Sequence, residues 1–175
     1  MFLYIVIILA VLIAAILGYA ASRPNTFRHE RSIHINASPS KIYPLITDFH
    51  HWAGWSPWEK LDPAMKKTYS GSAGGKGAVY EWEGNNKVGS GRMEITDAHE
   101  PSKVVIDLQF LKPFKAHNTA EFLIHSKGDS ADVTWAMYGK SMFMMKVMGL
   151  FMDMEKMIGK DFETGLANMK AVAEA

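Results

Sequence analysis

The chain has 175 residues, 48% hydrophobic and 21% charged, which predicts one globular domain and excludes both a disordered chain and a polytopic membrane protein. It contains no cysteine, which excludes disulfides, thiolate catalysis and cysteine-bound zinc or iron–sulfur clusters. Nineteen basic residues nearly balance eighteen acidic ones, and the net charge of +1 is too small to indicate a nucleic-acid partner.

The first 22 residues carry no charge, and all of them except Gly18 and Ser22 are hydrophobic. An apolar helix of about 20 residues matches the roughly 30 Å hydrocarbon core of a bilayer. We therefore expect residues 1–22 to form a single transmembrane anchor. A cleaved signal peptide is the alternative, because Gly18 and Ala20 are small residues of the kind that signal peptidase reads. Against it, no Lys or Arg precedes the apolar run, which is also longer than a usual signal core.

Basic residues follow this segment but do not precede it. Arg23, Arg28, Arg31 and Lys41 come within about 20 residues of its end. The positive-inside rule therefore predicts that the rest of the chain is cytoplasmic. We interpret residues 23–26 as a short linker and residues 27–175 as one folded domain.

The domain opens with a strand pattern and a helix start. Residues 27–35 alternate apolar and polar side chains, with Ile33 and Ile35 on one face, which is typical of a strand. Ser38 and Pro39 then form a common helix start, because serine is a favoured N-cap and proline is tolerated at the first helical position.

Six further segments show strand patterns, separated by glycine-rich or charged turns. They are residues 66–70, 78–83, 88–98, 103–110, 116–126 and 131–138. Strands that follow one another with short turns pair antiparallel. The sequence therefore predicts a curved antiparallel sheet of about seven strands.

The end of the chain changes to a helical period. Met154, Ile158, Phe162 and Leu166 recur every four residues, which predicts one amphipathic helix of about 20 residues. A shorter helical piece is expected over residues 141–151. A sheet wrapped around the terminal helix buries both apolar faces, so the predicted fold class is α+β, preceded by the transmembrane helix.

Several short motifs resemble those of the SRPBCC superfamily, the START-like proteins with a helix-grip fold. The chain is most similar to bacterial polyketide cyclase/dehydrase-type proteins with an N-terminal membrane helix, over about residues 27–172. The motifs are RSIHINASP at 31–39, TD at 47–48, WAGWSPW at 52–58, GAVYEW at 77–82, GSG at 89–91, VTW at 133–135 and GKDFETGL at 159–166. This resemblance implies a cavity between the sheet and the C-terminal helix that accepts lipids, polyketides or other hydrophobic molecules.

Methionines and aromatic residues supply the candidates for lining that cavity. Seven of the 12 methionines fall between Met142 and Met157, where flexible thioethers either line an adaptable pocket or fill irregular core space. The tryptophans at 52, 55 and 58 either form a pocket mouth, touch lipid headgroups or clamp their loop onto the sheet. The predicted ligand-cavity residues are Tyr80, Trp82, Phe110, Trp135, Met145 and Met148.

No motif indicates a metal, a cofactor or a catalytic centre. His50 and His51 are adjacent, and His117 and His125 lie about 26 Å apart on an extended strand, so neither pair suits one metal ion. The sequence contains no phosphate loop, dinucleotide fingerprint or nucleophile elbow.

Three functions are therefore open from sequence. The leading one is a membrane-anchored, noncatalytic domain that binds a hydrophobic small molecule or lipid. The second is a cyclase or dehydratase, with Tyr80, Tyr138, His117 or Glu121 handling protons. The third is an interaction module whose interior is filled by its own side chains.

Overall fold

An N-terminal helix, a seven-stranded sheet and a long C-terminal helix make up the computed structural model, which describes residues 2–175. The helices are α1 (Phe2–Ser22), α2 (Pro39–Thr47), α3 (Trp52–Trp55), α4 (Phe143–Met148) and α5 (Met154–Glu174), with 3-10 turns at Phe49–His51 and Pro57–Lys60. The strands are β1 (Thr26–Ile35), β2 (Lys66–Gly71), β3 (Ala78–Glu83), β4 (Ser90–His99), β5 (Lys103–Lys112), β6 (Ala116–Lys127) and β7 (Ser130–Lys140).

The sheet confirms the predicted helix-grip architecture. Its order is β1-β7-β6-β5-β4-β3-β2, and every neighbouring pair is antiparallel. Strands β2 to β7 follow one another across the sheet, and β1 is the edge strand beside β7. Because β1 begins at Thr26, only Arg23, Pro24 and Asn25 separate it from α1, one residue fewer than the expected linker.

Helix α5 lies across the inner face of the sheet and is gripped mainly by its C-terminal half. Phe162, Leu166 and Met169 are buried there, at the helical spacing that the sequence predicts. Arg31 of β1 fixes the beginning and the middle of the helix, because its guanidinium donates to Glu155 and to Glu163, each at 2.8 Å. The helix therefore has a packed half and a half held chiefly by ion pairs.

Helix α1 projects from this domain and has almost no protein cover. Its 21 residues are long and apolar enough to cross a membrane once, with a mean hydropathy of 2.8. Ala20, close to its C-terminus, is its one buried residue. A helix that is apolar on all sides is normally covered by protein or by lipid. In the described part of the chain, almost no protein covers α1.

The sheet has two distinct ends, a mouth end and a closed end. The mouth end is where β1, β4 and β6 begin and β7 ends, next to α1 and α4. The closed end is the opposite one, with the turn Lys127–Ser130 between β6 and β7.

Candidate functional site

A cavity of about 990 Å³ lies between the inner face of the sheet and the N-terminal half of α5, at the mouth end. This volume is near the upper end of the roughly 300–1,000 Å³ typical of small-molecule sites. The segment 149–154 and α4 form one side of its opening. Inward-facing side chains of five strands form most of its wall, namely Tyr80, Trp82, Met93, Leu108, Phe110, Ala120, Trp135 and Met137.

The structure brings five of the six predicted cavity residues together. Tyr80, Trp82, Phe110, Trp135 and Met145 all line the cavity. The rings of Trp82 and Phe110 meet edge to face, 5.9 Å between centroids, at its outer part. The sixth residue is different: Met148 ends α4, is half-buried and does not reach the cavity wall.

Trp135 forms the floor of the cavity. Its ring stacks on Phe162 of α5, with centroids 4.3 Å apart and planes 8° apart, and on Phe122 at 5.0 Å. The Trp135 indole N–H is buried and has no hydrogen-bond partner within residues 2–175. An unpaired buried donor is costly, so this N–H is an unsatisfied polar group beside the cavity.

The tryptophan-rich segment is mainly a clamp. Trp52 and Trp55 are buried, and their indole N–H groups donate to the carbonyls of Ile46 and Leu45 at 3.0 and 2.8 Å. These bonds fasten α3 to the end of α2. Trp52 and Trp58 also border the cavity, whereas Trp55 does not.

A buried polar cluster interrupts the apolar wall. The Tyr80 hydroxyl donates to Glu59 at 2.6 Å, and the other carboxylate oxygen of Glu59 pairs with Lys67. The Glu59 side chain is only 6% exposed. Burial raises the pKa of Tyr80 well above its usual value, and the bond to Glu59 raises it further. Tyr80 therefore stays protonated and acts as a hydrogen-bond donor.

Two more polar side chains face the cavity. Asn118 of β6 is 5% exposed, and a Cβ on Gly139 would collide with its amide oxygen. Glycine at 139 is therefore what makes room for this amide. Burial raises the pKa of Asp161 on α5, and the Trp58 side chain offsets that rise in part.

The other residues considered for proton transfer lie outside the cavity. His117 pairs with Asp107, and Tyr138 lies beneath the Arg28 guanidinium at 5.1 Å. Glu121 is 3.6 Å from Arg28, on the same outer face of the sheet. The alternation of strand residues explains this, because all three have the opposite parity to the inward-facing Asn118, Ala120 and Met137.

Glu81 and Glu83 also point outward and are exposed, as their alternation with Tyr80 and Trp82 predicts. Within residues 2–175, no three His, Asp or Glu side chains are arranged to hold a metal ion.

Sequence reasoning missed three polar residues of the site. Asn118 carried a signal, because it is the polar exception among inward positions of β6 and lies opposite a glycine within a strand. Nothing in the sequence pattern indicates that Asp161 and Glu59 are buried. Asp161 reads as a surface charge on an amphipathic helix, and Glu59 is buried only by contacts with residues distant in sequence.

Comparisons with known proteins agree with this geometry. Residues 26–174 match the model of a family described as polyketide cyclase / dehydrase and lipid transport. A search of curated proteins finds no match.

Solved structures with the same fold are remote in sequence. The Aha1 dimer from Colwellia psychrerythraea is 16% identical, covers 85% of this chain and 96% of its own, and gives a TM-score of 0.59. Major latex-like protein 151 from Panax ginseng is 14% identical, with 87% and 100% coverage and a TM-score of 0.58. A protein from Thermobifida fusca is 16% identical, with 82% and 90% coverage and a TM-score of 0.61.

Proposed function

The chain belongs to the polyketide cyclase/dehydrase and lipid-transport family, and from this premise we propose that it holds a hydrophobic small molecule or lipid between the sheet and α5. The cavity of about 990 Å³ is the observation that carries the proposal. Its interior is open, whereas an interaction module with a collapsed interior would have filled this space with side chains. Apolar area buried on binding would contribute roughly 25 cal/mol per Å².

The wall indicates the chemical character of the ligand. Tyr80, Trp82, Phe110, Trp135 and Met145 would contact its apolar part. Few polar groups face the space, and in such sites the polar groups fix the orientation of a mainly apolar molecule. The Asn118 amide, which is buried at the cavity wall, would bind a polar atom of the ligand. The ligand would therefore be an amphiphile with one small polar group.

The polar cluster supports binding rather than catalysis. Tyr80 is held protonated, and Glu59 is already engaged by Lys67 and by the Tyr80 hydroxyl. Neither group is free to take a proton from a substrate. The cyclase or dehydratase alternative rests on this pair, which converges at the cavity wall as the His29–Glu155 pair also does. If that alternative held, Tyr80→Phe and Glu59→Gln would each abolish turnover of a bound substrate.

We further propose that α1 anchors the domain in a membrane, with the domain on the cytoplasmic side. The apolar surface of α1 has no protein cover, which lipid would supply. The intact mass of the purified protein distinguishes an anchor from a cleaved leader. A reporter enzyme fused after Ala175 tests the side, and activity confined to the outer compartment would overturn the cytoplasmic assignment.

Native mass spectrometry of the detergent-extracted full chain tests the binding function. We expect a retained mass that lipid analysis identifies as an apolar or amphiphilic molecule. Titration with the fluorophore 1-anilinonaphthalene-8-sulfonate, read against a blank of the same detergent, supplies a second measurement, because the dye should fluoresce in cavities from which the ligand has been removed. Repeated preparations that retain nothing and leave the dye dark would contradict the proposal.

A further inference from the structure

The exposed apolar side chains of the domain are concentrated at the mouth end. Outside α1, eleven large hydrophobic residues are exposed, and eight of them lie in two short segments. We call these eight the mouth patch: Leu111, Phe114, Met142, Phe143, Met144, Phe151, Met152 and Met157. Phe151 is 72% exposed and Phe114 is 62% exposed. Exposed apolar surface that is clustered in this way marks an interaction site.

The mouth patch surrounds the opening of the cavity. Phe151 and Met152 belong to the patch and also line the cavity. Phe114 lies in the connection between β5 and β6, whose flanking residues Phe110 and Ala116 line the cavity from the other side. A partner that covers the patch would therefore also cover the entrance.

Helix α1 places the bilayer at this same end. Three residues join α1 to β1, so the start of the sheet lies at most about 14 Å from the end of the helix. The connection is also held in place. Lys146 of α4 donates to the Arg23 carbonyl at 2.9 Å and to the Asn25 side chain at 2.6 Å, and the N–H of Ser141 donates to the Asn25 carbonyl at 2.8 Å.

Basic side chains fringe the mouth patch. Those outside the ion pairs of β1 are Arg23, Lys87, Lys112, Lys115, Lys140 and Lys146, which lie at or near the mouth ends of their elements. Lys112 is paired with Glu83, and the acidic Asp153 and Glu155 lie at the same end. Lys or Arg near a membrane surface contributes about 1 kcal/mol each in attraction to anionic lipids. An apolar patch inside a basic fringe is the pattern of a surface that binds a bilayer interface.

Resting on the proposed function, we propose that the mouth patch is seated on the bilayer beside α1, so that the cavity opens into lipid. The side chains of α4 and of the β5–β6 connection enter the headgroup and upper acyl region. The ligand class is thereby narrowed to membrane amphiphiles, which enter from the lipid phase without crossing water. A protein partner, including a second copy of the chain, would have to fit between this end and the membrane to which it is tethered.

Site-directed spin labelling of the full chain tests the proposal. Because the chain has no cysteine, a single introduced cysteine is a unique attachment point. Labels at Phe114→Cys, Met144→Cys and Phe151→Cys probe the mouth patch. Leu9→Cys in α1 and Asp129→Cys in the turn at the closed end are matched controls. The protein is reconstituted into nanodiscs of phosphatidylcholine with a minority of phosphatidylglycerol.

The measurement is the collision rate of each label with oxygen, which partitions into lipid, and with a nickel chelate, which stays in water. We expect the three mouth labels and Leu9 to favour oxygen several-fold, and Asp129 to favour nickel. Mouth labels that behave like Asp129 would overturn the proposal. So would mouth labels shielded from both reagents, because that result indicates a protein partner.

The outcome separates this proposal from the proposed function. A nickel-accessible Leu9 would refute the anchor, while the mouth labels would still decide whether the mouth patch lies in lipid. Ligand retention, measured independently in detergent, decides the binding function alone.

Discussion

The two ends of the sheet use the space beneath α5 in opposite ways. Towards the closed end, Phe162, Leu166 and Met169 interlock with Ile106, Phe122 and other inward side chains, and the residues are almost fully buried. Towards the mouth end, the same helix carries Met154, Ile158 and Asp161, which border the cavity. The part of α5 towards the closed end thus packs in the core, and the part towards the mouth end covers the cavity.

The difference shows how a small domain keeps an internal cavity without losing its fold. Aromatic stacking centred on Trp135 divides the two regions, with Phe162 on one face and Phe122 on the other. Stability is concentrated on the closed side, so side chains on the open side are free to serve a ligand. Substitutions should therefore have unequal effects on the two sides.

The largest effect should come from Phe162→Ala. Phe162 is 1% exposed and stacks on Trp135 where the core meets the cavity, so its removal deletes a large buried ring and leaves Trp135 unsupported. We expect the free energy of unfolding to fall by about 3–5 kcal/mol, measured by denaturant titration in detergent. Met157→Ala, on the exposed surface of the same helix, is the control and should change stability by less than about 0.5 kcal/mol. Equal effects of the two variants would contradict the division of α5.

Adjacent inward positions on β5 allow a sharper comparison. Ile106 is fully buried in the core, whereas Leu108 borders the cavity. We expect Ile106→Ala to lower the free energy of unfolding by about 2–5 kcal/mol, because the new void is enclosed. Leu108→Ala should cost about 1–2 kcal/mol less than that, because it widens a space that is already open. A larger loss of stability for Leu108→Ala than for Ile106→Ala would contradict the assignment of Ile106 to the closed core and of Leu108 to the cavity wall.

A smaller loss is expected for Gly165→Ala at the boundary. A Cβ there would lie 2.8 Å from Trp135 and 3.1 Å from Pro57, and neither ring can easily move. Overpacking should cost about 1–3 kcal/mol, despite the better helix propensity of alanine. Gly54→Ala is the matched control, because its nearest neighbour would be Val172 at 3.9 Å. Thermal unfolding of both variants tests this prediction. A Gly165→Ala protein with the melting temperature of the wild type would contradict the close packing of residue 165 against Trp135 and Pro57.

The smallest effect concerns pH. Burial raises the pKa of Asp161 in the folded state above its ordinary 3.8, so the folded protein binds the proton more tightly than the unfolded chain. Stability should therefore fall as pH rises from about 3.8 through the folded-state pKa of Asp161. Asp161→Asn should reduce that fall, and Asp129→Asn in the exposed turn should not. Identical pH profiles for the wild type and Asp161→Asn would show that burial does not destabilise the ionised carboxylate of Asp161.

The sequence predicts the fold well because local periodicity determines its elements. The alternation in residues 103–110 and the four-residue step from Met154 to Leu166 each appear in the structure as predicted. Short and irregular segments are less predictable. The helix expected over residues 141–151 is only Phe143–Met148, because the N–H groups of Leu150 and Phe151 bond three residues back, to Val147 and Met148, instead of four.

The site is predicted in part, for the same physical reason. Trp82 and Phe110 follow from strand parity, since alternate residues share a face. Met148 lies outside the cavity wall, since the position of a short helix end is set by tertiary contacts rather than by spacing. Glu59 could not be found, since its burial depends on Lys67 and Tyr80, which a 3-10 turn and two strands bring to it.

The central claim is that a ligand occupies the open end, and filling that space is its most direct test. Ala116→Trp, on β6 at the cavity wall, places an indole in the cavity, whereas Thr119→Trp places one on the outer face of the same strand. Native mass spectrometry of both variants and the wild type should show retained ligand lost in Ala116→Trp and kept in Thr119→Trp. Undiminished ligand in a folded Ala116→Trp protein would contradict the claim.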